Sequence, residues 1–355
     1  MGRPCAAPFT IGGMMKPKKI KHAYVDSDLL IFPAASSAQQ IEYYFVDEEG
    51  NEVGSFSKAK SAKNWLEECE IMGADVEFGY EGDVTKLVRK ERLHIGEFQE
   101  AVKTYKKLLM RYLKQSGADT YTCYVSKKTG LENFRHKLSL RKPYKGNRKE
   151  AAKPYHLDQL RKYVLTMPNH KRSTGDVETD DIVCGLSQRK PTNVLIQNEK
   201  DGLQCVGCWV YYPDYHDVPV WSDPDTLGYV EETSLKLTGL GHLFLLGQLI
   251  TGDTADNYSG IDRVGKTKAH ETLAPFNNQP VDQLYDAVSE VCLLYYKKYG
   301  LVYDYVNKDG ERAVGSWKDF IMETLNLAYM RKGRDDLVPQ PYTDMINQWE
   351  KDNKL

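Results

Sequence analysis

The sequence predicts an α/β protein with a twisted, mainly parallel sheet flanked by helices, and three observations carry that prediction. Short apolar runs at Ala23–Phe32, Tyr121–Val125, Asn193–Gln197 and Cys208–Tyr212 have strand length. Segments of helical spacing, Ala59–Glu70, Ile95–Lys114, Tyr155–Leu165 and Asp180–Ser187, lie between them, and strands that alternate with helices favour parallel pairing. Beyond residue 236 the pattern turns helical at His242–Ile250, Lys266–Ala274 and Val281–Tyr299.

The first run, Ala23–Phe32, carries Asp26 and Asp28 in its middle, an expensive place for charge in a buried strand. Ile41–Val46 and Glu52–Phe56 flank the turn-forming Glu48–Asn51 and predict a β-hairpin. Lys127–Lys153 is basic, broken by Pro and Gly, and has little periodicity. Thr174–Asp176 lead into the helix over Asp180–Ser187. A boundary is expected near residue 235, with a disordered leader over 1–20, an α/β part over 21–235 and a helical part over 236–355. Trp317, Tyr329 and Trp349 are expected as packing aromatics.

The 355 residues suffice for one large domain or two modest ones, and no apolar run is long enough to span a bilayer. Met1–Met15 lacks the apolar stretch of a secretory signal. Seven scattered cysteines suit reduced thiols, so a cytoplasmic location is expected, with Cys205 and Cys208 as ordinary thiols on a strand edge. The formal net charge of −2 hides an asymmetry, because residues 120–172 hold fourteen Lys/Arg against three Asp/Glu. That block is interleaved with Tyr121, Tyr124, Phe134, Tyr144, Tyr155 and Tyr163, a composition suited to phosphate contact and base stacking.

Carboxylates gather at element ends. Glu178, Asp180 and Asp181 lie at a helix start, Glu199 and Asp201 follow the strand ending at Gln197, and Asp253 and Asp256 occupy the turn after His242–Ile250. Taken alone, the helix-start set reads first as capping and dipole compensation, and any one set could be surface decoration. Together with Asp26 they repel one another unless cations intervene, and magnesium or manganese is the hard ion such oxygen ligands take.

Tyr144-Lys-Gly-Asn-Arg148, Glu178-Thr-Asp-Asp181, Lys200-Asp201 and Gly252-Asp-Thr-Ala-Asp-Asn-Tyr-Ser-Gly-Ile261 occur in an order that resembles bacteriophage 5′-to-3′ exonucleases and flap endonucleases, of the PIN-like nuclease superfamily. The resemblance runs from about Asp26 to about residue 275. It implies a two-metal hydrolase leaving 5′-phosphorylated ends, with magnesium or manganese on Asp26, Glu178, Asp180, Asp181, Asp201, Asp253 and Asp256, and Glu199 as a further ligand.

It also implies a helical arch over about residues 141–163, with Lys145 and Arg148 on the scissile phosphate. Arg135, Lys142 and Lys149 are then nucleic-acid contacts. Gly260-Ile-Asp-Arg-Val-Gly-Lys-Thr-Lys-Ala269 is similar to the family's helix–turn–helix variant, implying duplex contacts at Gly260, Gly265, Lys266 and Lys268 and a potassium ion. The implied partner is double-stranded DNA, an RNA–DNA hybrid or a 5′ flap, met by a monomer in the host bacterial cytoplasm. Two positions depart from the family pattern: Ser126 stands where an aspartate is usual, and Glu199 replaces the first aspartate of a pair. A non-catalytic DNA-binding relative and a structure-selective RNase of the same fold remain open readings.

Overall fold

The computed structural model describes residues 18–72, 83–126, 133–147, 153–173, 177–331 and 338–355. The chain forms two compact units, one of residues 1–25, 113–148 and 173–355, the other of residues 26–112 and 149–172.

In the first unit, strands lie in the order Thr120–Val125, His22–Asp26, Asn193–Ile196, Cys208–Tyr211, Val220–Ser222. His22–Asp26 pairs parallel with Asn193–Ile196 in the register Tyr24↔Leu195, and Asn193–Ile196 pairs parallel with Cys208–Tyr211. Only the edge strand Val220–Ser222 is shown antiparallel to its neighbour. Every residue of Asn193–Ile196 is buried, as a strand covered on both faces requires. The mainly parallel sheet flanked by helices is therefore as the sequence predicts.

The C-terminal helices Gly241–Thr251, Leu284–Tyr299, Trp317–Ala328 and Tyr342–Asp352 share one apolar core with Leu227 and Val230. Leu227 and Val230 lie ahead of the boundary expected near residue 235 and are buried in this same core. Trp317, Tyr329 and Trp349 are buried in it, as expected. Its helical pattern is interrupted by an antiparallel hairpin, Tyr303–Val306 with Arg312–Gly315.

The second unit holds the helices Asp28–Ser37, Ala59–Met72 and Leu157–Val164, most of Phe98–Ser116, and a three-stranded antiparallel sheet with Gln39–Val46 at its centre. The expected hairpin is present there, Gln39–Val46 with Glu52–Phe56. Its third strand, Val88–Ile95, is exposed at all eight positions, so no burial alternation marks it in the sequence. The strand expected over Ala23–Phe32 ends at Asp26. The Asp26 carboxylate accepts the Asp28 amide at 3.0 Å, a local turn that opens the helix Asp28–Ser37.

Among the described residues no helix is long and apolar enough to cross a membrane.

Candidate metal centre

The helix Thr179–Ser187 starts where the backbone of Glu178 is extended, which sets Glu178 at its N-cap and Asp180 and Asp181 in its first turn. Ligand oxygens of these three lie within 4.8 Å of one another, and they form the one such group among the described residues. The positive end of the helix dipole offsets part of their repulsion, and charged neighbours do the rest.

Asp181 is fully engaged by protein. The guanidinium of Arg135, wholly buried, donates from Nη1 to Asp181 Oδ2 at 2.8 Å and from Nη2 to Oδ1 at 2.9 Å. The Arg331 amide also donates to Oδ1, at 2.9 Å. Arg135 spends its other hydrogens on Glu178 Oε2 at 3.1 Å and on the carbonyls of Leu327 and Tyr329. This corrects the reading of Arg135 as a nucleic-acid contact, since a guanidinium without exposed surface does not reach a phosphate. Its protons organise the carboxylates instead.

Glu178 is ringed by donors. Lys145 Nζ donates to its Oε1, and the Tyr144 hydroxyl lies 3.2 Å from Oε2 and 2.7 Å from Asp256 Oδ2. Burial pushes the Glu178 carboxyl upward, but Lys145 and Arg135 outweigh it and hold the group below its usual value. Among the described residues no cation is shown hydrogen-bonded to Asp180. Burial, then the charges of Glu178, Asp181 and Glu199, push it well above the ordinary range, and the hydrogen bond shown to it is the Asp181 amide at 2.8 Å.

A second acidic group forms from later elements. The buried strand Asn193–Ile196 leads to a 3₁₀ turn, Lys200–Gln204, with exposed Glu199 at its N-cap and buried Asp201 in its first turn. The apolar helix Gly241–Thr251 ends at Gly252, whose φ of +67° and close approach to Gly260 N, 2.3 Å from a Cβ placed there, admit no side chain. Gly252–Asp253 then pairs antiparallel with Tyr258–Ser259, placing Asp253 opposite Tyr258. Asp253 accepts from Ala255 N at 2.8 Å and pairs with Lys200 Nζ at 3.0 Å. Asp201 Oδ1 accepts from the side-chain amide of Gln248. Burial raises Asp201 to about 7; Lys200 opposes this, while Asp253, Asp256 and Glu199 add to it.

Tyr144 and Lys145 join the two groups. Tyr144 touches Glu178 and Asp256, and Lys145 pairs with Glu178 and lies 3.8 Å from Asp256 Oδ2. Lys145 is also held by its backbone, with φ of 56° in the left-handed region and its amide donating to the Asp256 carbonyl at 2.8 Å. A non-glycine residue there costs about 1 kcal/mol or more, offset by contacts that fix it.

The remaining predicted residues are placed as follows. Asp26 is buried and belongs to the second unit. Arg148 and Lys149 lie outside the described residues, as do Lys127 and Lys128. Lys142, Gly265 and Lys268 are exposed. Gly260 is buried and its carbonyl accepts from Arg141 Nη1 at 2.8 Å, while Lys266 Nζ donates to the carbonyls of Thr233 and Ser234, both at 2.6 Å. Ser126 Oγ lies 2.9 Å from Thr179 Oγ1, so a neutral hydroxyl pair stands beside the helix start. Cys205 and Cys208 are buried free thiols.

Sequence reasoning missed Gln248 and Tyr258. Tyr258 is 5% exposed and its hydroxyl has no hydrogen-bond partner among the described residues, although burial and the charges of Asp201, Asp253 and Asp256 keep the phenol neutral. An all-oxygen donor set, two carboxylates pushed toward protonation and an unpaired buried hydroxyl beside them fit a hard, partly hydrated divalent ion.

No protein-family model matches the chain, and no curated protein does. Among solved structures it is similar to the bacteriophage T5 flap endonuclease in a pseudo-enzyme–product complex with DNA and metal ions, with 13% identity and a TM-score of 0.43 over 94% of this chain and 97% of that one. A T5 protein co-crystallised with metal ions gives 13% and 0.41, and the T5 5′-exonuclease with bound zinc gives 15% and 0.39, each over 94% of this chain and 97% of that one.

Proposed function

We propose that the chain is a divalent-metal-dependent nuclease that hydrolyses phosphodiester bonds from the 5′ side of duplex DNA, of an RNA–DNA hybrid or of a 5′ flap. The observation that carries this reading is the convergence of Glu178, Asp180 and Asp181 within 4.8 Å, with Lys145 bonded to that group and reaching Asp256. A purely structural acidic cluster would be neutralised throughout. Here Asp181 is matched by Arg135 and Glu178 by Lys145, but Asp180 and Asp201 are driven toward protonation.

Asp180, Asp201, Glu178, Asp253 and Asp256 would hold magnesium or manganese, with Glu199 as a further ligand. Two such ions, when bound, supply an activated water and charge stabilisation at the leaving oxygen. Asp181 positions Arg135 and the helix start and is the least available of the set as a ligand, because three donors already occupy it. Lys145 is held against Glu178. On substrate binding its ammonium would exchange that carboxylate for a phosphate oxygen and stabilise charge developing there. Arg148 would assist. Lys142, Lys149, Gly265 and Lys268 would hold the nucleic-acid backbone, and a potassium ion near Gly260–Ala269 would do the same.

The test is cleavage of duplexes labelled at the 5′ or the 3′ end, with magnesium or with chelator, by the native chain and by Asp180→Ala. The reading expects metal-dependent release from the 5′ side that the variant loses. Binding without cleavage under any metal would leave a non-catalytic DNA-binding protein, and cleavage of RNA alone a structure-selective RNase.

A further inference from the structure

Tyr258 and Gln248 are not among the residues given a role above. In an antiparallel pair, directly opposed residues project from the same face, so the register Asp253↔Tyr258 sets the phenol beside the Asp253 side chain. Yet the Tyr258 hydroxyl bonds to no described residue. The same is true of Gln248 Oε1, although the amide nitrogen of that side chain donates to Asp201 Oδ1. Tyr258 is 5% and Gln248 3% exposed. Two neutral oxygens, both able to accept a hydrogen bond, thus flank the carboxylates of Asp201 and Asp253 without serving the protein's own donors.

Magnesium dehydrates reluctantly and keeps several waters, each of which donates hydrogen bonds. Carboxylates placed to touch the ion do not serve all of those donors. We infer that Tyr258 and Gln248 are positioning residues for a hydrated divalent cation, their oxygens accepting hydrogen bonds from its water shell while Asp201 and Asp253 supply the charge. This rests on the metal-dependent reading above and adds to it the means by which the second acidic group takes an ion as a hydrate. Gln248 does double duty, because the same amide that accepts from the shell orients Asp201 through its nitrogen.

The experiment titrates the full chain calorimetrically with magnesium chloride and, separately, with cobalt(III) hexammine, whose ammines donate hydrogen bonds but do not give way to carboxylate oxygens. Tyr258→Phe and Gln248→Met are each expected to weaken both probes by about tenfold, the usual range for groups that act behind the ligands. Metal-free Tyr258→Phe should melt at or above the native chain, because it deletes an unpaired buried hydroxyl. A lower melting point without metal would show that the hydroxyl has a protein partner and overturn the proposal, as would native affinity for both probes in both variants. A native chain that binds neither probe would instead overturn the metal-dependent reading itself.

Discussion

The two acidic groups of the first unit solve the same electrostatic problem by different means. Glu178, Asp180 and Asp181 are braced by cations, with buried Arg135 on Asp181 and Lys145 on Glu178. Asp201, Asp253 and Asp256 take short hydrogen bonds from neutral donors, namely Gln248, Tyr144 and the Ala255 amide, with part-exposed Lys200 paired to Asp253 and Lys145 at 3.8 Å from Asp256. Each arrangement leaves one aspartate displaced toward protonation, Asp180 in the first and Asp201 in the second. In both groups carboxylates outnumber the cations that the described residues place against them, which is the imbalance that the proposed function addresses.

The sharpest way to break the comparison is Arg135→Met. Removing one partner of a buried ion pair leaves the other charge uncompensated, and a loss of about 3–5 kcal/mol is expected in chemical denaturation. Asp201→Asn should cost nothing comparable, and equal losses would dissolve the distinction between the groups.

Next in size is the dependence on pH. Asp201 titrates in the folded chain at about 7, above the unfolded value of about 4. Between these limits the native state binds more protons than the unfolded state, so without metal stability falls as pH rises from about 4 to about 7. Asp180 adds to this trend, whereas Glu178, held below its usual value, loses its contribution only as pH falls through that lower value. The change is on the order of 1–3 kcal/mol, read as melting in chelator at successive pH values, and Asp201→Asn should flatten it. Magnesium at a hundred times its dissociation constant should restore about 2.7 kcal/mol at neutral pH.

Ser126→Asp adds a carboxylate beside Thr179, next to the braced group. Without metal it should lower stability by about 1 kcal/mol, and with magnesium it should tighten binding. Unchanged metal affinity would show that this strand end lies outside the site. Lys200→Met is the smallest change, below about 1 kcal/mol, because a lysine that is 34% exposed is largely screened.

Much of this was legible in the sequence. The ends of Thr179–Ser187, Asn193–Ile196 and Gly241–Thr251 fall within about two residues of where apolar periodicity and turn residues put them, so their terminal carboxylates were visible beforehand. The role of Arg135 was not, because its carbonyl partners at Leu327 and Tyr329 lie nearly two hundred residues on, in a segment without a motif. Val88–Ile95 escaped because a strand exposed on both faces has no alternation to read. Nor does composition near residue 235 reveal that Leu227 and Val230 are buried in the same core as the C-terminal helices, because two apolar residues ahead of a helical stretch carry no signal of what they pack on.

The proposed nuclease requires the displaced aspartates to be cation ligands, and counting bound manganese by electron paramagnetic resonance tests this most directly. The intact chain should sequester manganese at neutral pH, and Asp180→Asn and Asp201→Asn should each bind less while keeping native circular dichroism. Native stoichiometry and affinity in both variants would contradict it.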